Sequence, residues 1–164
     1  MGILITSADF TGKYAIPQDS FSNLDGIIAA YEETYLIDLL GVDLYNLFVA
    51  DLSSKIPVTA KYLTIYNPFN NDYGSTVKRS IGMKKMILGF IFFEYMRELK
   101  FKNTISGVNV QASELNRETD GTTLFKNYNE SVNTFTTIQW KIRQNPADYL
   151  DYNGQCKKIA NPFF

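Results

Sequence analysis

The chain has 164 residues, of which 45% are hydrophobic, 15% aromatic and 20% charged, with a formal net charge of −1. This length favours one domain with one core, and the aromatic content excludes a disordered chain. The near-zero charge argues against a polyanion binder, and the absence of histidine removes the commonest general base and the usual zinc ligand.

Signals of catalysis and of cell compartment are sparse. Cys156 is the single cysteine, so no internal disulfide can form. No secretory signal is visible at the start, and the longest apolar run, Met86–Phe93, falls well short of the about 20 residues that a membrane helix needs. No Gly-rich phosphate loop is present. We therefore expect a soluble protein that is not an enzyme and needs no cofactor or metal.

Two pairs of carboxylates are candidates for a catalytic acid and base. Glu32 and Glu33 are adjacent and point about 100° apart on a helix, so they cannot share one substrate. Glu94 and Glu98 share a helix face, but basic residues such as Arg97 flank them. This pattern favours a solvated helix face over a catalytic pair.

The predicted elements begin with an extended N-terminal arm over residues 1–21, because Pro17 interrupts any helix there. Ser22 is a candidate N-cap for a first helix. Apolar residues then recur at helical spacing until Gly41, which is a natural helix terminator.

Two shorter helices and a loop are expected next. Asp43 can cap a second helix, which Pro57 ends, and a third helix covers about residues 59–66. Residues 67–74 are rich in turn formers, so we expect a loop there.

The longest predicted helix starts at Ser75 or Thr76 and reaches about Lys100. Its segment Met86–Phe93 is apolar nearly all round, which is typical of a helix that is buried on every side. We expect this segment to form the core, between the first and the last helix.

The helical pattern is lost over residues 101–121, where Val108 and Val110 alternate with polar residues. This alternation predicts a loop or a β-hairpin. A final helix is expected over residues 122–146, and an extended C-terminal tail over residues 147–164.

Two segments, residues 103–121 and residues 156–164, carry apolar residues for which we find no packing role. An ordinary bundle connection needs about 2–8 residues, so a longer one suggests a function. We predict that both segments are partner-binding arms, with the alternative of a disordered loop and a frayed end left open. The arm residues are Val108, Val110, Pro162, Phe163 and Phe164.

Together these elements predict an all-α fold in a single domain, residues 1–164. The expected architecture is a small bundle of four to five helices from residues 22–100 and 122–146. An extended N-terminal arm, a loop or β-hairpin between the last two long helices and an extended C-terminal tail complete it.

Charge is strongly segregated along the chain. Residues 14–54 contain seven acids and no base, whereas residues 55–102 contain nine bases and three acids. The two regions either pair within the fold or meet between copies, the acidic region of one subunit against the basic region of the next.

The second alternative predicts a cyclic homo-oligomer with a charged contact. Reversing Glu32 and Glu33 to Lys is then expected to block assembly without unfolding the subunit. The candidate interface residues are Asp25, Glu32, Glu33, Asp38, Lys78, Arg79, Lys84 and Lys85.

Seven stretches of the sequence form a recognisable set: residues 9–14 (DFTGKY), 31–41 (YEETYLIDLLG), 44–48 (LYNLF), 82–86 (GMKKM), 92–95 (FFEY), 128–130 (YNE) and 139–140 (QW). These stretches, and the order of the predicted elements, resemble the connector (adaptor) proteins that tailed bacteriophages carry below the portal. The resemblance is greatest to the connectors of Bacteroidetes-infecting, crAss-like phages.

The resemblance implies a structural virion protein, made in the host bacterial cytoplasm, at the head-to-tail junction. Its expected partners are other copies of itself in a ring, commonly of twelve, the portal protein and the next tail or ring protein. Genomic DNA would pass through the lumen without sequence-specific binding, and no membrane is involved.

A second hypothesis comes from a different functional class. Lys78, Arg79, Lys84 and Lys85 are expected at the start of the long helix, with Lys78 and Lys85 on one face. Such a basic face could bind DNA phosphates in a small cytosolic regulator. No nucleic-acid-binding motif accompanies it, so a charged face that pairs within the fold is preferred.

Overall fold

A computed structural model describes residues 2–16, 21–73, 76–104, 107–110 and 121–155. These residues form five α-helices and three short antiparallel strand pairs, after two 3₁₀ turns at Ser7–Asp9 and Gly12–Tyr14. The fold is mainly α, as predicted, but the short strands correct the expectation of an all-α protein. In chain order the elements are α1 (Phe21–Leu40), α2 (Val42–Ala50), β1 (Leu52–Ser53), β2 (Ile56–Pro57), α3 (Ala60–Tyr66), β3 (Phe69–Tyr73), β4 (Thr76–Ser80), α4 (Met83–Lys100), β5 (Phe101–Thr104), β6 (Gly107–Val110) and α5 (Gly121–Gln144).

The predicted start of the long helix is wrong. Helix α4 begins at Met83, and Thr76–Ser80 is instead strand β4, which pairs antiparallel with β3 in the segment expected to be a loop. Gly82, at φ 94°, lies between the strand and the helix in a backbone conformation that interrupts helical geometry. Val77 therefore belongs to a strand, and it is 64% exposed.

Helix α4 is the centre of the fold, as the Met86–Phe93 run predicts. All residues of this run except Phe93 are buried. Phe90 stacks on Tyr35 of α1, with ring centroids 4.4 Å apart, and makes edge contacts with Tyr128 and Phe135 of α5. The predicted position of this segment between the first and last helices is confirmed.

A buried carboxylate joins α1 to α4. Glu94 is only 6% exposed, so the expected solvated helix face is wrong at this residue. The Tyr35 hydroxyl donates to Glu94 Oε1 at 2.7 Å, and Arg97 forms an ion pair with the other oxygen. Burial, with the Glu94 carboxylate beside it, raises the pKa of the Tyr35 phenol.

The segment after α5 packs on the end of α1. The backbone N–H groups of Asn153 and Gln155 donate to the carbonyls of Leu40 and Asp38, at 3.3 and 2.5 Å. Gln139 Nε2 donates to the Gln155 carbonyl at 2.7 Å. The tail up to residue 155 is thus part of the folded body, and the predicted arm residues Pro162, Phe163 and Phe164 lie outside the described residues.

The segment that connects α4 to α5 starts with two strands. β5 pairs antiparallel with β6, from Phe101↔Val110 to Thr104↔Gly107, so that Val108 and Val110 are strand residues. Residues 111–120 lie outside the described part of the chain. None of the helices in the described ranges has the length and apolar character needed to cross a membrane.

Truncating Phe90 tests the core. Phe90→Ala removes a fully buried ring that contacts both α1 and α5, so we expect a loss of about 3–5 kcal/mol in unfolding free energy. Urea unfolding followed by circular dichroism measures it. Leu150→Ala, at an 83% exposed side chain, is the control and should change little. Equal midpoints for both variants would contradict the central position of α4.

A close approach of α4 and α5 gives a second test. A Cβ at Gly89 would lie 2.1 Å from Ser131 Oγ, so Gly89→Ala should overpack the contact and cost about 1–3 kcal/mol. Adding Ser131→Ala removes the clashing oxygen and should restore part of that loss. A thermodynamic cycle of the two single variants and the double variant measures the coupling, and purely additive effects would be inconsistent with this contact.

Candidate functional site

Two adjoining clefts along β4 bring together the predicted basic residues. The first, the α5 cleft, lies between β4 and α5, has a volume of about 490 Å³ and includes Lys78 and Arg79. The second, the arm cleft, lies between the N-terminal arm, α4 and α5, has a volume of about 550 Å³ and includes Lys84 and Lys85. Arg79 lines both clefts.

The basic residues do not form the expected single helix face. Lys78 is on β4 and its ammonium lies 5.7 Å from the centre of the Trp140 ring on α5, a cation–π distance. Lys85 is on α4, beyond the Gly82 turn. The two residues line different, adjoining clefts, because the strand and the helix N-terminus both pack beside α5.

Ion pairs occupy part of the arm cleft. Lys84 pairs with Asp9 at 2.7 Å, and Lys13 pairs with Glu130. Burial would raise the pKa of the Asp9 carboxyl, but hydrogen bonds from Lys84 and Thr6 outweigh it and hold that pKa below its usual value.

Two cations of the arm cleft remain uncompensated. Arg79 and Lys85 are exposed and line the cleft, and neither has a carboxylate partner among the residues that the structure describes. The cleft therefore carries four bases against the two acids Asp9 and Glu130. This excess of positive charge suits an anionic group from outside the subunit.

The arm cleft also has a buried phenol. Tyr14 is 5% exposed, the Lys13 ammonium lies 4.9 Å from the centre of its ring, and its hydroxyl proton has no acceptor within the described ranges. An edge contact with Phe92, at 5.9 Å between ring centroids, holds the ring against α4. Burial raises the pKa of the Tyr14 phenol, which keeps the hydroxyl neutral and able to donate.

The predicted interface residue Glu32 is not on the surface. It is 1% exposed, and its two carboxylate oxygens accept the backbone N–H groups of Ile3, Leu4 and Ile5 at 2.5, 2.7 and 3.1 Å. Burial raises the pKa of the Glu32 carboxyl against the effect of these bonds. Glu32 therefore holds the arm in place, and reversing its charge would disturb the subunit itself.

Lys55 binds the same arm from the other side. Its ammonium donates to the carbonyls of Gly2 and Ile5, at 2.5 and 3.0 Å. Ser54 and Lys55 form the turn between β1 and β2, with φ of 50° and 69°, a conformation that non-glycine residues seldom adopt. We call Glu32, Lys55 and the Gly2–Ile5 backbone the arm clamp.

The other predicted acidic residues have mixed positions. Asp25 and Glu33 are exposed on α1, where Glu33 accepts the Tyr45 hydroxyl at 3.3 Å. Asp38 is half-buried near the end of α1. Asp51 accepts the N–H groups of Val58 and Thr59, so this acid is used within the fold. Fewer of the acids in residues 14–54 face solvent than the sequence indicates.

Several site residues were missed in the sequence. Asp9, Lys13, Tyr14 and Glu130 complete the arm cleft, and only the folded chain brings residues 9–14 to residue 130. Glu32 did have a signal, because it stands four residues from both Ile28 and Leu36 on the buried stripe of α1.

Neither a metal-binding cluster nor a similar protein of known function identifies the role of the two clefts. No group of three or more potential His, Cys, Asp or Glu ligands occurs within the described ranges. Comparisons with protein-family models, with curated proteins and with solved structures give no match for this chain.

Replacing the carboxylate of the arm clamp tests its role. In Glu32→Gln one accepting oxygen becomes an NH₂ that faces a backbone N–H, so we expect a loss of about 1–3 kcal/mol. Amide hydrogen exchange at Ile3, Leu4 and Ile5 should accelerate. Glu33→Gln, the exposed neighbour, is the matched control, and identical exchange in the two variants would rule out the clamp.

Proposed function

We propose that this chain is a non-catalytic structural subunit of a ring at the head-to-tail junction of a tailed bacteriophage. The proposal rests first on the resemblance of its sequence to phage connector proteins. The mainly helical fold with a central apolar helix is compatible with that family. In this proposal the subunit binds copies of itself, the portal and the next tail or ring protein.

The structural observation that supports association into a ring is the arrangement of charge on opposite sides of α4. Glu94 faces α1, whereas Lys85, nine residues earlier, lines the arm cleft. At about 100° per residue, nine residues separate two side chains by half a turn, so α1 and the cleft flank α4 on opposite sides. The exposed acids Asp25 and Glu33 lie on the outer surface of α1.

Complementary surfaces on opposite sides of a subunit favour head-to-tail association. A heterologous contact of this kind closes into a ring when the rotation between neighbours fits. The ion pairs Lys13–Glu130, Lys84–Asp9 and Arg97–Glu94 use no acid from residues 14–54. Asp25 and Glu33 are therefore not used by these ion pairs and are available for contacts between copies.

The arms supply the remaining contacts in this proposal. The excursion that contains Val108 and Val110 reaches along the ring axis, and the tail with Pro162, Phe163 and Phe164 binds a neighbouring subunit or the portal. Genomic DNA passes through the lumen without sequence-specific contacts. The particle is assembled in the host bacterial cytoplasm.

Electron microscopy of phage particles tests the location. Gold-labelled antibodies against the chain are expected at the junction of head and tail in particles of the phage that encodes it. Preimmune antibodies are the control. Purified particles that lack the chain, or that carry label only on capsid faces or tail fibres, would contradict the proposal.

A small DNA-binding regulator is the second candidate. The observation in its favour is that Lys78, Arg79, Lys84 and Lys85 all line the two adjoining clefts. A regulator that contacts several phosphates should bind free duplex DNA with steep salt dependence, each contact adding about 0.9 to the slope of log affinity against log salt. A connector subunit is expected to bind free DNA weakly and to assemble on its portal.

A further inference from the structure

We propose that the arm cleft is a receptor for a carboxylate side chain of a second copy of this chain, presented by the outer surface of α1. The inference rests on the proposed function for the idea of a repeating self-contact. It adds the site, the chemistry of the group that enters it and the residues that bind that group. Arg79, Lys85 and Tyr14 are the receiving residues, and Asp25 and Glu33 are the acids offered.

The cleft already binds carboxylates of its own subunit. Asp9 forms an ion pair with Lys84 at 2.7 Å and Glu130 forms one with Lys13, so two of the four bases of the cleft are neutralised within the subunit. Arg79 and Lys85 line the same cleft without a partner in the described part of the chain. Arg79 has the planar fork of donors that matches a carboxylate, and Lys85 adds a second positive charge.

The Tyr14 phenol is the second, independent sign of a ligand. A buried hydroxyl that lacks a partner is costly, and such groups call for an unseen acceptor. The Tyr14 hydroxyl is buried in a residue that lines the cleft, and its proton has no acceptor in the described ranges, because the nearby Lys13 ammonium can only donate. A carboxylate oxygen from outside would accept its hydrogen bond and be neutralised by the neighbouring cations.

The chemistry of the cleft favours a protein acid over nucleic acid. Sites for single-stranded nucleic acid combine bases with exposed aromatic rings on which nucleobases stack. The single aromatic residue among those lining the arm cleft is Tyr14, and it is 5% exposed. The apolar Ile81 and Leu88 also line the cleft and can pack against aliphatic side chains of a protein partner.

The outer surface of α1 is complementary to this site in charge, and the residues between its two acids are small. Asp25, Ala29 and Glu33 are exposed at successive positions four residues apart, so they form one line along the helix. Gly26 and Ala30 are exposed beside them. Small residues between the two acids let the helix approach the cleft closely without steric hindrance.

A charge swap tests the inference in solution. One variant carries Arg79→Glu and Lys85→Glu, and the other carries Asp25→Lys and Glu33→Lys. Each alone opposes like charges and should lose the weak self-association that we expect of the wild-type chain at low salt, by at least about tenfold in dissociation constant. Mixed in equal amounts, they present complementary pairs at both contacts and should associate again.

Two further variants separate the site from general charge and from folding. Tyr14→Phe should weaken self-association severalfold while thermal unfolding changes little, because only an unpaired hydroxyl is lost. Lys126→Gln, an exposed base on α5 that lines neither cleft, should leave association unchanged. Sedimentation equilibrium gives the dissociation constants, and circular dichroism of every variant confirms its fold.

Three results would overturn the inference. They are a wild-type chain that stays monomeric at millimolar concentration and low salt, a mixture of the swapped variants that fails to associate, and a short DNA duplex that binds the cleft with a loss in Arg79→Gln. Each differs from a failure of the proposed function. Antibody labelling away from the head-to-tail junction would contradict the proposed function but not the self-association through the arm cleft. A cleft that binds no second copy would contradict the inference but not the position of the chain at the junction.

Discussion

The arm clamp is the interaction on which the candidate site depends. Glu32 accepts three backbone N–H groups of the arm and Lys55 donates to two of its carbonyls, which fixes residues 2–5, a segment outside any helix or strand. The arm then carries Asp9, Lys13 and Tyr14 to the N-terminal half of α4. The clamp thus helps to fix one wall of the cleft, and a buried carboxylate on α1 contributes to a surface on the other side of α4.

Charge in this protein has two separate uses. Glu32, Glu94 and Asp51 are acids that satisfy donors inside the fold, and they account for part of what the sequence presents as an acidic region or a solvated face. Asp25 and Glu33 remain exposed, as do Arg79 and Lys85. The charges available to a partner are therefore fewer than composition indicates, and each set lies on one side of the central helix.

The sequence predicted helices well and the site poorly, for physical reasons. Periodic burial is a local property, so α1, α2, α3, α5 and the core of α4 could be found within a few residues of their ends. The β3–β4 pair was missed because Val77 and Ile81 also fit a helical stripe, which conceals the boundary that Gly82, at positive φ, forms between strand and helix. The arm cleft joins residues more than a hundred positions apart, which no local pattern encodes.

The packing of residues 153–155 on the last turn of α1 has a consequence for folding of the chain during its synthesis. A Cβ at Gly154 would lie 2.2 Å from the Leu39 carbonyl oxygen, and one at Gly41 would lie 2.8 Å from the Asn153 backbone, so the two segments fit together only through glycine. The carbonyls of Asp38 and Leu40 gain their partners from this late segment. On the ribosome, α1 and α2 can therefore form early. The junction between them is complete only after residue 155 has emerged, so the packing of residues 153–155 against it is a late step of folding.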